Sequence, residues 1–121
     1  MDEFDYTGYI VKYDRKYNSG NTFRKGCFKI DPERIVPIVE YQGTRCFGGA
    51  KLEDRDDGLV TKCVFHKDFM GRFTLGLLEL GDCDLSFYAG PIEREEDTVT
   101  FGDIKAILLM DRSHKPSIVE E

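Results

Sequence analysis

The sequence predicts a mainly β (α+β) fold: a small β-barrel or curled antiparallel sheet with one main helix. Three observations predict it. Short runs of β-branched and aromatic residues recur between Gly, Pro, Asn and Asp clusters. A single stretch, 67–80, carries apolar residues at helical spacing. Finally, 121 residues of which 40% are hydrophobic and 33% charged suit one globular domain that buries its own core.

Tyr6–Tyr13 is the first expected strand, rich in aromatic and β-branched residues. Asn18-Ser19-Gly20-Asn21 is a turn by composition, because Gly accepts positive φ and Asn tolerates it. Phe23 and Phe28 flank Lys25-Gly26-Cys27, a short turn that should anchor both rings in the core. Asp31-Pro32 starts a connection, and Ile35–Val39 follows as a buried strand. Pro37 removes one ladder donor, so that strand should lie at an edge or begin near the proline.

Tyr41–Cys46 reads as a polar loop and Gly48-Gly49 as the lead into Ala50–Leu52. The acidic run Glu53–Gly58, closed by Asp-Gly, turns the chain into Leu59–Phe65. There Leu59, Thr61, Cys63 and Phe65 alternate with Val60, Lys62 and Val64, so the pair forms a β-hairpin. Phe69, Met70, Phe73, Leu77 and Leu80 recur at helical spacing, predicting a helix over Lys67–Leu80 that packs this apolar face. Gly81 suits its left-handed C-terminal residue. Asp84–Ala89 is a strand, Pro91–Asp97 a charged turn and Thr98–Met110 a long strand. Ile104, Ala106, Leu108 and Met110 lie on one face of that strand and Ile107 and Leu109 on the other, so it should be central and covered on both sides. Residues 1–110 therefore form one domain, and 111–121 a polar tail.

Composition excludes several functions. The net charge of −6 with scattered basic residues argues against a nucleic-acid partner, since phosphate binding needs clustered Lys and Arg. No apolar run reaches the roughly 18 residues of a membrane helix, and the acidic start Met1-Asp2-Glu3-Phe4-Asp5 is unlike a signal peptide, so no membrane and no secretion are expected. Cys27, Cys46, Cys63 and Cys83 lie far apart without the paired spacing of a zinc site and read as reduced, half-buried residues. Counting twelve positions from Asp54, a calcium loop would need Glu where Phe65 stands. No metal or cofactor is expected. His66 and His114 are the only histidines, both among charged residues, and exposed side chains are the default for each. Ser86 stands alone between apolar residues of a strand; a serine nucleophile needs a base within hydrogen-bond reach, and spacing identifies none.

The order of segments resembles the prohead (head maturation) proteases of tailed bacteriophages, whose fold is related to the herpesvirus assemblins. Gly8-Tyr9-Ile10-Val11 and Phe23-Arg24-Lys25-Gly26-Cys27-Phe28 are similar to that family's opening strand and its F-x-x-G-x-F element. Val36-Pro37-Ile38-Val39 resembles the strand leading to its catalytic histidine. Gly48-Gly49-Ala50-Lys51-Leu52-Glu53-Asp54-Arg55-Asp56-Asp57-Gly58-Leu59 resembles its G-x-A-x-L-E-x-R-x-x-G hairpin. Gly81–Ala89 is similar to the strand bearing its nucleophile, which the resemblance places at Ser86, and Gly102–Leu109 to the core strand that follows.

Two departures decide what the resemblance implies. Gln42 stands where the family places its histidine, and Ala106 where it commonly carries an acid. Gln42 has no titratable nitrogen to accept a serine proton, and no histidine occurs between Met1 and Phe65. The resemblance thus implies a phage or prophage head protein on a protease fold without its catalysis. It would act by binding capsid or scaffold protein as a decoration, scaffold-associated protein or assembly factor, as a homo-oligomer, in the virion or host cytoplasm. The alternative is an active maturation endopeptidase with Ser86 as nucleophile and His66 or His114 recruited as base. A third reading is an unrelated small β module that binds a partner.

Overall fold

The computed structural model describes residues 4–16, 20–41, 43, 45–111 and 119–120. The chain is mainly β, a curled sheet with one helix, as its patterning predicts. The strands are β1 (Tyr6–Lys12), β2 (Thr22–Phe23), β3 (Val36–Glu40), β4 (Cys46–Arg55) and β5 (Gly58–Phe65). After the helix α1 (Phe69–Leu80) come β6 (Cys83–Glu95), β7 (Thr98–Asp111) and β8 (Val119–Glu120). The sheet order is β1-β5-β4-β3-β7-β6-β8, with β2 pairing β7 off that path. Curling brings the far limbs together, so that Tyr6, Tyr9 and Val11 of β1 line one depression with Asp84 and Leu85 of β6.

The pairing is not wholly antiparallel. β2 and β3 run parallel to β7, and β8 runs parallel to β6. The β3–β7 contact is long-range, closing only after β4, β5, α1 and β6 have been laid down, and no local pattern encodes it. Pro37 is accommodated by the second of its two expected routes. β3 is internal, but it begins one residue before the proline, and its pairing with β7 starts only at Ile38↔Ile107.

The β4–β5 hairpin forms in the expected register, turning through Asp56-Asp57 with Arg55 opposite Gly58. The glycines have different jobs from those the sequence suggests. Gly48 and Gly49 lie inside β4, which starts at Cys46 where a loop was expected. A Cβ on Gly48 would fall 2.1 Å from the backbone oxygen of Val64, so only glycine fits against β5. Similarly, β6 runs through Pro91 to Glu95 instead of stopping at Ala89, with the turn confined to Glu96-Asp97. The register shifts between Ala89 and Ile92, and such an irregularity is where a strand tolerates proline.

β7 is the central strand, flanked by β3 and β6 and buried on both faces. Ile107 joins the main core with Phe23, Phe28, Ile38, Leu59, Phe65 and Phe87, while Ala106, Leu108 and Met110 are buried on the opposite side. β8, in the stretch expected to be a polar tail, adds a two-residue strand beside Tyr88 and Ala89.

The helix stops where Gly81 predicts and starts two residues after the expected Lys67. Asp68 is the N-cap, its Oδ1 accepting the Gly71 N–H at 2.8 Å, and Gly81 closes the C-terminus at φ 81°. Asp68→Ala is expected to cost about 1 kcal/mol in urea unfolding; no change would mean the cap is replaced by water.

The face that packs is the reverse of the one predicted. Gly71, Thr74, Leu75 and Leu78 are buried, whereas Phe69, Met70, Phe73 and Leu80 are exposed. The inward face is chosen by close approach: a Cβ on Gly71 would stand 2.0 Å from the His66 carbonyl oxygen, so the first turn seats on the chain leaving β5. Gly76 has no such reason. Nothing lies within 4 Å of its would-be Cβ, yet glycine there costs the helix up to about 1 kcal/mol relative to alanine.

Candidate functional site

Ser86 lies in β6 between Leu85 and Phe87, 4% exposed, with Leu108 of β7 directly opposite. Two residues along, Ala106 faces Tyr88 on the same side of the sheet. Ser86 and Ala106 therefore share one face of neighbouring strands. The Val36–Val39 segment forms the next strand over, since β3 pairs β7 on its other side and Tyr41 N–H donates to the Leu109 carbonyl. The three stretches bearing the expected nucleophile, base and acid positions are thus adjacent, in the order β3-β7-β6. Gln42 and His114 lie outside the described residues.

His66 is not part of this group. It follows β5, exposed, with its N–H bonded to the Phe47 carbonyl at 2.8 Å. Along the sheet β5 is separated from β6 by β4, β3 and β7. His66 lines two depressions, one of about 500 Å³ over the β4–β5 hairpin and one of about 230 Å³ beside the start of α1, and neither includes Ser86. Chemically, the Ser86 region supplies a buried hydroxyl on the face that also carries Leu108 and Ala106, with no carboxylate at position 106 to orient a base.

The larger depression is a cleft that sequence reasoning missed. Its floor is Gly48, Gly49 and Ala50, its walls include Ile35, Val64 and Phe4, and Lys51, Lys62 and His66 stand at its margin. Ile35 and Val64 are exposed there, and a Cβ on Gly49 would reach within 2.9 Å of Ile35 Cγ2. The signal was the Gly48-Gly49 pair, read as a lead-in when it serves to keep a strand surface clear. Both lysines have carboxylate partners, Lys51 with Glu33 at 3.8 Å and Lys62 with Glu53 at 3.0 Å. Such a surface is suited to taking up an apolar group, and it carries no reactive pair.

The thiols divide as the fold dictates. Cys27 and Cys63 are buried, Cys46 is exposed and Cys83 is partly covered; none of the four is in a disulfide. Among the described residues no group of three or more His, Cys, Asp or Glu side chains could hold a metal ion. Also among them, no helix is long and apolar enough to cross a membrane. Compared with known proteins, the chain matches no family model, no curated protein and no solved structure.

Proposed function

We propose that this chain is a non-enzymatic head-assembly or structural protein of a phage or prophage, acting by binding capsid or scaffold protein on a prohead-protease-like fold. The observation that carries this reading is the setting of Ser86. The hydroxyl is buried in a paired strand, faces Leu108 and has an alanine at the position expected to hold an acid. Losing one member of a nucleophile–base–acid unit removes most of its rate, and this chain lacks the family's residue type at two of the three positions. The adjacency of the three quoted segments on β3, β7 and β6 supports the resemblance, and the open cleft on the hairpin supports a role in binding.

Intact-mass labelling with a serine-reactive fluorophosphonate tests it, comparing the wild type with Ser86→Ala. Neither protein is expected to gain an adduct, and the wild type should co-sediment with purified heads or capsid protein. A stoichiometric adduct lost in Ser86→Ala would overturn the proposal and return the chain to the endopeptidases.

A further inference from the structure

We infer that α1 is a dimerisation helix, pairing antiparallel with α1 of a second copy through the face formed by Phe69, Phe73, Gly76 and Leu80. The helix is apolar nearly all round. Its only charged residues, Arg72 and Glu79, lie on one flank, and Arg72 is drawn inward to Asp5 at 3.5 Å and to the Phe65 carbonyl at 3.3 Å. A helix of this kind belongs in an interior, yet only the side bearing Gly71, Thr74, Leu75 and Leu78 is covered. On the opposite side Phe69 and Leu80 are each 78% exposed and Phe73 52%, with the Phe69 and Phe73 rings stacked at 6.0 Å between centroids.

Area and shape both point to a second copy. Phe69, Phe73, Leu80 and the neighbouring Met70 present roughly 500 Å² of apolar surface, taking up to about 200 Å² for a fully exposed large side chain. Two copies together would bury about 1,000 Å², the lower bound for a specific interface. Residues 69, 73, 76 and 80 follow one helical face at steps of four, three and four. In a twofold antiparallel crossing centred between 73 and 76, Phe73 of each copy lies over Gly76 of the other, and Phe69 over the partner's Leu80. Gly76 is then explained: it is open within its own molecule and becomes the socket for a ring from the next. Charge points the same way, because a chain of net charge −6 repels its copy most weakly where the surface carries no charge. A second copy is a partner in addition to the proposed capsid or scaffold protein, and the inference rests on the helix, not on the reading of Ser86.

Sedimentation velocity of the full chain over a hundredfold concentration range around 10 μM tests the inference. The wild type is expected to dimerise with Kd in or below that range. Phe73→Glu and Gly76→Lys should each weaken the dimer at least tenfold while leaving the circular dichroism spectrum unchanged. Gly76→Lys is the sharper variant, because a Cβ at that position meets nothing within 4 Å in the monomer and lysine is a better helix former than glycine. A wild type that stays monomeric throughout, or a dimer indifferent to both substitutions, overturns the inference. Dimer assembly and fluorophosphonate labelling are separate readouts, so either can fail alone.

Discussion

Phe87→Ala is expected to remove about 3–5 kcal/mol of stability, the usual cost of deleting a buried aromatic ring. Phe87 is 1% exposed and meets two other rings edge-on, Phe28 at 5.3 Å and Phe23 at 6.0 Å between centroids. Phe23 and Phe28 stack on each other at 5.6 Å. These contacts join distant parts of the chain. Phe23 belongs to β2, which pairs with β7 at Val99, and Phe28 bridges to Gly102, where an added Cβ would fall 3.1 Å from its ring. The ring of Phe87 is what the segment 22–28 packs down upon. A domain of this size has on the order of 5–15 kcal/mol in total, so the variant should melt far earlier. Urea unfolding checks this: the midpoint should fall with the slope unchanged, and Phe87→Leu, which keeps most of the volume, should lose clearly less. A loss below about 1 kcal/mol for the alanine variant would mean the three rings do not form the core joint described.

What was legible in the sequence was local. The existence of α1 was readable from the helical spacing of Phe69 to Leu80 and its end from Gly81, and the β4–β5 hairpin from strict alternation around an acidic turn. The inward face of α1 was not. Periodicity reports spacing, and here the strongest apolar stripe, Phe69, Phe73 and Leu80, faces outward, while the packed side is built from Gly71, Thr74, Leu75 and Leu78. Gly71 helps select that face because it lets the first turn come close to the chain leaving β5, a property invisible to a count of hydrophobic positions. The β3–β7 pairing was unreadable for another reason: strands far apart in sequence meet through the topology of the whole chain. Of the candidate site, the strand carrying Ser86 was legible, as was the two-sided burial of β7. The cleft was not, because it depends on Ile35, just before β3, arriving beside the bare strand surface at Gly49.

Raising the pH above about 9 should unfold the protein more readily than its carboxylates and amines alone would suggest. Burial pushes the Cys27 thiol up to about 12 and the Cys63 thiol up to about 11, from an ordinary value of 9.0. At Cys63 a contact with the Thr61 hydroxyl at 3.5 Å pulls weakly the other way. Both shifts are upward, so the folded state prefers the protonated thiol. That preference stabilises fully below the unfolded value and is lost as pH climbs from there toward the folded values. Each thiol then subtracts about 1.4 kcal/mol per pH unit, and the two together about 5 kcal/mol by pH 11. Tyr13 adds to the slope. Its phenol is raised by burial first and by its donation to Asp54 Oδ1 at 2.6 Å second, so it too resists ionisation in the fold. Urea unfolding between neutral pH and about pH 10.5 gives the slope. The double variant Cys27→Ala/Cys63→Ala should start less stable but decline less steeply, because its unfolded state has no such protons to release. An equal decline in both proteins would place the alkaline weakness elsewhere and show that these two thiols ionise as freely in the fold as outside it.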